Sequence, residues 1–471
     1  RKRSLLTHWL VQRLGADHDT EEYGDLVGSN FSEYKINLLR ENGYDGIIST
    51  DALILAGNAI GLDRVSAHGM DGLTSQEIIY QIIKIGVDRL LMPDFGEEIS
   101  YVKQIEASYD LLVEEFGKEA ADKNYYDSAI RILRSYMLVG VFENAYVDTK
   151  EAQALITESG ITNAFNEVNQ KTIVMLKNND NTIKQNTSDE LPTAYVPMVY
   201  SAGGWGSTAG WSMPIDETVA SQYFNIVTDT LGEATGENGA YTANDIIRAT
   251  ADQLATCDYA LMFMSNPKTG EGYDSATATY KPISLQYNEY VADGENVRES
   301  SISQGTIETV IETPYGNTSS LSRDDRNYYG ESTVATNLSE LELLLNIADT
   351  VPENCKVIAC ISASNAMIFS EFESKVDAIL IGFGVDKTNF LPVASGKLEP
   401  NALLPIQMPA NMDTVEAQCE DIPRDVECYV DANGNTYDFA FGLNWSGVIK
   451  DERVQEYSVT PQVGLNPVPA K

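Results

Sequence analysis

The sequence is poor in basic residues and has no long apolar run. Its 471 residues include 70 Asp and Glu but only 32 Lys and Arg, which gives a formal net charge of −38 at pH 7. This charge argues against binding to nucleic acid or anionic lipid, because both are recognised by basic surfaces. No apolar stretch reaches the length of about 18 residues that a transmembrane helix needs, so no membrane insertion is predicted. A neutral substrate such as a sugar remains compatible with the charge.

Cysteine and histidine are also scarce. The cysteines are Cys257, Cys355, Cys360, Cys419 and Cys428. They show no CxxC spacing, which argues against a zinc site, and we interpret them as buried free thiols. A Cys419–Cys428 or a Cys355–Cys360 disulfide is an open alternative. The histidines are His8, His18 and His68. No HExxH spacing, GxSxG serine motif or GxxxxGK[ST] phosphate loop occurs, which argues against zinc peptidases, serine hydrolases and P-loop proteins.

Strand-like and helix-like segments alternate along the chain and predict an α/β protein with more than one domain. A chain of 471 residues exceeds what a single hydrophobic core supports. Apolar runs at 259–265, 356–363 and 378–384 are typical of buried strands. Their alternation with helical patterns is that of parallel βα units. The polar, turn-rich stretch 179–192 is the predicted linker.

Helix boundaries can be predicted at several places. Thr74 or Ser75 is the expected cap of a helix that runs to residue 86. Ser339 is the expected cap of a helix over 339–348, with Glu342 completing a capping box. Helical patterns also cover 244–257 and 367–376.

Residues 38–52 combine a helix end, a short strand and an acidic residue. Asn42 and Gly43 are typical of a left-handed cap that ends a helix. Residues 46–50 then form a predicted buried strand, and Asp51 follows its carboxyl end. Because α/β proteins place their chemistry at the carboxyl ends of strands, we interpret Asp51 as a candidate nucleophile. On position alone, a turn or capping residue is the alternative.

A second acidic residue follows the apolar run 259–265. Glu271 lies between Gly270 and Gly272, and glycines permit unusual backbone angles and the close approach of a substrate. A carboxylic acid on such a loop can protonate a leaving group; an exposed acidic turn is the alternative. Trp205 lies in a glycine cluster at 203–206, in a plain surface loop or facing a sugar ring. Gly270, Gly272 and Trp205 are therefore candidate substrate-binding residues.

Asp51 and Glu271 together match the residue types that a retaining glycosidase uses. Such enzymes hold a nucleophile and an acid/base about 5–5.5 Å apart. Different environments keep one carboxyl ionised and the other protonated. The sequence predicts this pair from residue type and position only.

Several strings resemble one family, the family 3 glycoside hydrolases. Its first domain carries a helix, a GYDG string, a strand and a nucleophilic Asp, as in residues 38–51. GVDRLLMP (86–93) continues the resemblance, and NEVNQKTIVMLKNN (166–179) resembles the entry to the second domain. KTGEGYD (268–274) resembles the loop that presents the acid/base glutamate in the β-glucosidase-like branch. SGKLEPNALLPIQMP (395–409) and YDFAFGLNWSG (437–447) resemble C-terminal signatures of the family.

The resemblance covers about residues 31–450 and implies both an activity and a fold. The implied activity is that of a retaining β-glycosidase that hydrolyses β-linked glycosides through a covalent glycosyl-enzyme intermediate. Asp51 would be the nucleophile and Glu271 the acid/base, with no metal or organic cofactor. The implied fold is the C-terminal part of a (β/α)8-type barrel over 1–178, followed after the linker by an α/β sandwich over 193–450. Residues 451–471 would form a C-terminal tail.

The chain also departs from the family pattern. Only the last portion of the barrel precedes the linker, and Ala52 stands where the family usually has Trp. A partial barrel exposes parallel strand edges and apolar surface, so we expect a complementary chain or a homo-oligomer to cover it. The alternative function is that of a catalytically inactive relative that binds carbohydrate or serves as a structural subunit. Because the chain begins with Arg1, we expect this start to be a cut or an incomplete N-terminus.

Overall fold

The computed structural model describes residues 5–6, 31–50, 74–91, 101–203, 208–270, 272–274, 279–300, 307–312, 318–323, 327–419 and 422–457. The chain divides into two compact units. The first unit comprises Arg1–Ala152, Tyr273–Lys281 and Arg298–Tyr329. The second unit comprises Gln153–Gly272, Pro282–Val297 and Gly330–Lys471. The two units are the parts of the chain that pack within themselves. The domain bounds at 1–178, 179–192, 193–450 and 451–471 stay predictions.

The secondary structure of the described residues is mixed. The strands are β1 (Leu5–Leu6), β2 (Ile48–Ser49), β3 (Val174–Asn178), β4 (Thr193–Val196), β5 (Val199–Ser201), β6 (Gly210–Ser212), β7 (Asn225–Thr228), β8 (Thr230–Leu231), β9 (Ile246–Ile247), β10 (Tyr259–Ser265), β11 (Tyr273–Asp274), β12 (Thr279–Tyr280), β13 (Tyr290–Val291), β14 (Ile307–Glu312), β15 (Thr318–Arg323), β16 (Ser332–Thr333), β17 (Lys356–Ala363), β18 (Ala378–Phe383), β19 (Leu443–Asn444) and β20 (Gly447–Val448). The α-helices are α1 (Glu33–Glu41), α2 (Ser75–Lys84), α3 (Tyr101–Phe116), α4 (Lys118–Leu138), α5 (Thr149–Glu158), α6 (Ile161–Lys171), α7 (Glu217–Ala220), α8 (Ala251–Leu254), α9 (Leu338–Thr350), α10 (Leu391–Ala394), α11 (Met412–Glu416) and α12 (Glu452–Tyr457).

The first unit contains short parallel pairings that alternate with helices. β1 pairs in parallel with β2, and Ser49 of β2 forms a parallel bridge to Arg89. α1 lies between β1 and β2 in the chain, and α2 lies between β2 and Arg89. Ile36 of α1 and Ile78 of α2 are buried in one cluster with Ile48 of β2. This arrangement agrees with the βα alternation predicted for this part of the chain.

The predicted end of α1 is confirmed. Gly43 adopts a left-handed backbone with φ of 78°. The N–H of Gly43 donates to the carbonyl of Arg40, and the N–H of Tyr44 donates to the carbonyl of Leu39, each at 3.0 Å. These two bonds form the Schellman arrangement that satisfies the last carbonyls of a helix. The turn then leads the chain directly into β2.

The predicted start of α2 is also confirmed. The hydroxyl of Thr74 accepts a hydrogen bond from the N–H of Glu77, and the Glu77 carboxylate accepts one from the N–H of Thr74. This reciprocal capping box satisfies two backbone donors that the helix itself cannot. By contrast, the N-cap of α9 is Asn337 rather than the predicted Ser339.

The second unit is built on an eight-stranded sheet with the spatial order β20-β19-β3-β18-β17-β10-β4-β7. The strands from β18 to β7 pair in parallel, and β3 and β19 pair antiparallel. Leu261 and Phe263 of β10 pack on one face, and Met262 and Met264 pack on the other. Because both faces are covered, the central strands are almost wholly apolar. The predicted α/β class is confirmed.

The predicted helix over 244–257 is much shorter than expected. Only Ala251–Leu254 is helical, and β9 pairs with β8 instead. The carboxylate of Asp245 accepts hydrogen bonds from the N–H groups of Thr235 at 3.0 Å and Thr242 at 2.6 Å. These bonds hold Asp245 in a local turn, so the chain does not begin a helix at 244.

The predicted helix over 367–376 is replaced by one turn of 3-10 helix at Glu373–Lys375. Ile368 donates its N–H to the carbonyl of Leu285, which ties this stretch to another segment. Phe369 and Phe372 are fully buried. The apolar spacing therefore reflects burial rather than helical periodicity.

All five cysteines are free thiols, so neither of the considered disulfides forms. Cys257, Cys355 and Cys360 are buried, as predicted, whereas Cys419 and Cys428 are only half-buried. Burial raises the pKa of the Cys360 thiol well above its usual value, which keeps it in the unreactive protonated form. Within the described ranges, no helix has the length and apolar character needed to cross a membrane.

Candidate active site

Asp51, Glu271 and Trp205, the predicted catalytic and sugar-facing side chains, lie outside the described residues. The three histidines, His8, His18 and His68, lie outside them too. The structure does describe the elements that lead to each of the first three. These are β2 for Asp51, the segment after β10 for Glu271, and the hairpin of β5 and β6 for Trp205.

The residue before Asp51 is fixed from two directions. Thr50 is fully buried, and its N–H donates to the carbonyl of Arg89 at 2.9 Å. Its hydroxyl accepts the N–H of Leu91 at 2.9 Å. The end of β2 is thus tied to the next parallel segment by backbone and side-chain bonds. A rigid strand end suits a side chain that must be placed accurately.

A buried aspartate anchors the same strand. The carboxylate of Asp88 accepts hydrogen bonds from the N–H of Ile48 at 2.7 Å, from Arg40 at 2.6 Å and from Arg131 at 2.8 Å. Ser128 donates to it at 2.9 Å. Two guanidinium groups and two further donors compensate the desolvation of this carboxylate. The cluster joins α1, β2 and α4, and sequence reasoning missed it because its members are far apart in the chain.

The strand order of the second unit indicates a binding site at the carboxyl ends of two neighbouring strands. Counted in chain order, its parallel strands lie in the order 2-1-3-4-5 as β7, β4, β10, β17 and β18. In sheets of this order, ligands bind outside the carboxyl ends of the first and third strands, where the direction of the connections switches. Here these strands are β4 and β10. β4 leads into the hairpin that contains Trp205, and β10 leads into the segment that contains Glu271.

The glycines that flank Glu271 have the expected backbone. Gly270 has φ of 86° and Gly272 has φ of 78°. Both values lie in the region that glycine tolerates and other residues rarely adopt. The expectation of unusual backbone angles is confirmed, whereas substrate contact by either glycine stays a prediction.

The segment between β10 and Glu271 is held by the first turn of α9. The side-chain oxygen of Asn337 accepts the N–H of Lys268 at 2.9 Å, and its amide donates to the carbonyl of Asn266 at 3.1 Å. The carboxylate of Glu340 accepts the N–H of Ser265 at 2.7 Å. The side-chain oxygen of Asn266 in turn accepts the N–H of Ser364 at 2.8 Å. The chain is therefore fixed on both sides of Pro267.

A tyrosine and a threonine complete this anchor. The hydroxyl of Tyr287 donates to the carbonyl of Ser265. Burial raises the pKa of Tyr287 well above its usual value, and the carboxylates of Glu340 and Glu371 add to the effect, so the hydroxyl keeps its proton. Thr269 and Ser284 exchange two hydrogen bonds, at 3.0 and 3.3 Å. The outgoing and returning ends of the Glu271 loop are thereby joined.

The hairpin that contains Trp205 has its own buried anchor. The carboxylate of Asp229, at the end of β7, accepts hydrogen bonds from Tyr195 at 2.7 Å, Arg248 at 2.6 Å and the N–H of Met198 at 2.8 Å. Met198 immediately precedes β5. Trp211 of β6 lies under the Arg248 guanidinium, 5.2 Å from ring centroid to Cζ. Sequence reasoning missed this cluster too, although an aspartate after a strand was its available signal.

A cavity of about 610 Å³ lies elsewhere in the second unit. Met213, Pro214, Ile215, Asp216, Val219, Asp386, Lys387 and Thr388 line it. Gly270 and Gly272, the predicted site residues that the structure describes, do not line it. The carboxylates of Asp216 and Asp386 in this lining each cap the start of a short helix. Asp216 accepts the N–H of Val219, and Asp386 accepts the N–H of Thr388.

Comparison with known proteins identifies β-glucosidases as relatives. No family model matches the chain. It is 22% identical over 408 residues to β-glucosidase C of Emericella nidulans, a match that covers 86% of this chain and 49% of the relative. It is also 22% identical over 432 residues to a probable β-glucosidase C of Aspergillus flavus, covering 90% of this chain and 50% of the relative. The chain thus spans about half the length of these relatives.

A solved structure supports the same relationship at the level of fold. The β-glucosidase EmGH1 of Erythrobacter marinus matches with a TM-score of 0.50 and 15% identity, over 90% of this chain and 53% of that structure. The chain is thus similar in sequence to β-glucosidases, as its motifs indicated, and similar in fold to one of them.

Proposed function

We propose that this chain is part of a retaining β-glycosidase that hydrolyses β-linked glucosides. The observation that carries the proposal is the sequence match to β-glucosidases, which covers 86% and 90% of this chain. The residues that lead to the two candidate carboxylates add support, since Thr50 and Ser265 are each hydrogen-bonded to another segment of the chain.

The proposed reaction has two steps. Asp51 attacks the anomeric carbon while Glu271 protonates the departing glycosidic oxygen, and a glycosyl ester forms on Asp51. Glu271 then removes a proton from water, which attacks the same carbon and releases the sugar with retained configuration. Gly270 and Gly272 allow the loop to approach the sugar, and Trp205 supplies an aromatic face. No metal or organic cofactor takes part in this scheme.

A covalent label tests the nucleophile. We expect 2,4-dinitrophenyl 2-deoxy-2-fluoro-β-glucoside to add one fluoroglucosyl group to the protein, because the fluorine slows both steps while the dinitrophenolate leaving group accelerates only formation of the ester. Peptide mass spectrometry should place the group on Asp51. The protein is isolated from its native source so that any bound partner is retained.

The matched controls are Asp51→Asn, which should abolish labelling, and Asp386→Asn, which alters another aspartate after a strand and should leave labelling intact. Label on a different residue would overturn the assignment of Asp51. Binding of glucose without label or turnover would favour the inactive carbohydrate-binding relative instead.

The proposed architecture is a partial (β/α)8-type barrel followed by an α/β sandwich, and the first unit offers a surface for the rest of the barrel. Tyr126, Ile130, Leu133 and Met137 follow one another at helical spacing along α4 and are 67%, 51%, 47% and 62% exposed. We call these four residues the α4 stripe. An apolar stripe of this kind normally packs against another element. We propose that complementary βα units cover it, since the relatives are about twice as long as their match to this chain.

A charge placed in the α4 stripe tests this partner. We expect Leu133→Lys to abolish co-purification of a complementary βα segment and to lower the mass of the native particle in analytical ultracentrifugation. Ala120→Lys adds the same charge to an exposed position of α4 outside the stripe and should leave the particle unchanged. A wild-type particle with the mass of one chain alone would contradict the proposal, and a particle made only of this chain would indicate a homo-oligomer.

A further inference from the structure

We propose that Asn337 and Glu340 are positioning residues for the acid/base step, because the first turn of α9 holds the backbone that leads to Glu271. This inference rests on the proposed function, since it assigns a role within that reaction. We call Asn337, Glu340 and the backbone of 265–268 the loop clamp.

The first argument is that Asn337 does not do what an N-cap asparagine normally does. Such a residue usually accepts a hydrogen bond from the second or third N–H of its own helix, which stabilises the helix. Asn337 occupies the N-cap position of α9, yet its side chain makes no capping bond. Both ends of its amide are instead bound to the backbone of Asn266 and Lys268. The Asn337 side chain therefore stabilises the loop with two hydrogen bonds and leaves its own helix without a side-chain cap.

The second argument is the role of Glu340 in the same turn. Its carboxylate accepts the N–H of Ser265 at 2.7 Å and lies 3.2 Å from the side-chain nitrogen of Asn337. A carboxylate in the first turn of a helix is stabilised by the helix dipole. Hydrogen bonds with a charged partner are stronger and more directional than neutral ones. Glu340 therefore orients Asn337 and fixes the end of β10 together.

The third argument is that the hydrogen-bonded residues of the clamp are followed directly by the two glycines that flank Glu271. Ser265, Asn266 and Lys268 are bound, whereas Gly270 and Gly272 give the chain access to left-handed angles. A catalytic acid has to lie within hydrogen-bond reach of the leaving oxygen, and a misplacement of about 1 Å can reduce the rate by about 100-fold. A hydrogen-bonded backbone segment that directly precedes the glycine-flanked Glu271 meets this requirement. Thr336 adds to it, since its N–H donates to the carbonyl of Lys268 at 2.7 Å.

A matched control position lies at the opposite, amino ends of the strands. Asn354 precedes β17 and donates its side-chain amide to the carbonyls of Ala255 at 3.2 Å and Cys257 at 3.3 Å. Like Asn337, it joins two segments through an amide bound to backbone. Unlike Asn337, it lies at the amino ends of β10 and β17, away from the switch point. Removal of Asn354 therefore reproduces the loss of bonds without touching the clamp.

The experiment compares two leaving groups in Asn337→Ala, Glu340→Gln and Asn354→Ala. Phenyl β-glucoside needs protonation of its leaving oxygen, whereas 2,4-dinitrophenyl β-glucoside departs without it. We expect both clamp variants to lower kcat/KM for the phenyl substrate by about 10- to 100-fold and to change that for the dinitrophenyl substrate far less. Asn354→Ala should leave the ratio of the two values unchanged. Asn337→Asp, which keeps the acceptor for Lys268 but loses the donor to Asn266, should fall between wild type and Asn337→Ala.

Equal losses on both substrates would overturn the positioning role, because general destabilisation does not depend on the leaving group. Wild-type protein that cleaves neither substrate would refute the proposed function rather than the clamp. Amide hydrogen exchange then decides about the clamp alone. Exchange at Ser265 and Lys268 should accelerate in Asn337→Ala relative to Asn354→Ala, and unchanged exchange would overturn the inference.

Discussion

Replacing Glu271 by Gln is expected to lower kcat/KM for phenyl β-glucoside by about 10²–10⁴-fold, the usual contribution of a proton-transfer group. Glutamine has the same size and can hydrogen bond, but it cannot give a proton to the leaving oxygen or take one from water. The loss should therefore be largest for substrates with poor leaving groups. With 2,4-dinitrophenyl β-glucoside, bond cleavage remains fast and hydrolysis of the glycosyl ester on Asp51 becomes the slow step.

That change of slow step provides the sharpest measurement. A burst of dinitrophenol followed by slow turnover should appear in Glu271→Gln, and added azide should accelerate turnover because an anionic nucleophile needs no general base. The product would be a β-glucosyl azide. Glu289→Gln, an exposed acid in the segment that follows the same loop, is the matched control and should behave as wild type. Equal losses with both leaving groups and no azide product would show that Glu271 is not the acid/base.

Local rules were sufficient for the parts of the fold that short segments determine. Gly43 ends α1, and Thr74 caps α2, because each motif lies within four or five consecutive residues. The apolar runs that form β10, β17 and β18 were also predictable, since strands covered on both faces are nearly continuous in apolar residues. Helical periodicity misled at Phe369 and Phe372, whose spacing reflects two buried rings packed at 5.7 Å between centroids.

The supports of the candidate site could not be predicted in the same way. Asn337 binds Lys268 and Asn266 across 69 and 71 residues of sequence, and Asp88 binds Arg40 across 48. No periodicity or motif spacing links such pairs; only the parallel topology brings them together. The sequence placed Glu271 and Trp205 on loops after strands, while the order of the strands was needed to assign both loops to one switch point. Chemical groups were thus easier to predict than the framework that holds them.

The same limit applies to stability, where the largest expected effect involves two residues that sequence reasoning did not consider. Lys177 of β3 and Glu373 are each 2% exposed, and the Lys177 ammonium lies 2.6 Å from the Glu373 carboxylate. The ammonium also donates to the Glu373 carbonyl at 2.7 Å, and Tyr429 donates to the carboxylate at 3.1 Å. These contacts compensate two buried charges, so loss of one partner leaves the other uncompensated in a dry environment.

Lys177→Met should therefore lower the free energy of unfolding of the second unit by about 3–5 kcal/mol, the usual cost of removing one member of a buried ion pair. Urea unfolding would report it as a lower midpoint at unchanged slope, because the surface exposed on unfolding stays the same. Lys375→Met is the matched control. The Lys375 ammonium lies 2.9 Å from Asp349, but the two side chains are 49% and 65% exposed, and exposed pairs contribute about 0–1 kcal/mol.

The double variant Lys177→Met with Glu373→Leu separates two explanations of that loss. If the cost arises from the unpaired Glu373 charge, removing the carboxylate as well should restore a large part of the stability, because well-packed apolar replacements of buried pairs are often neutral. If Lys177 instead contributes mainly through its bond to the Glu373 carbonyl, the double variant should stay as unstable as the single one. A Lys177→Met variant as stable as Lys375→Met would show that water reaches the pair, and the burial argument for the second unit would then be wrong at this point.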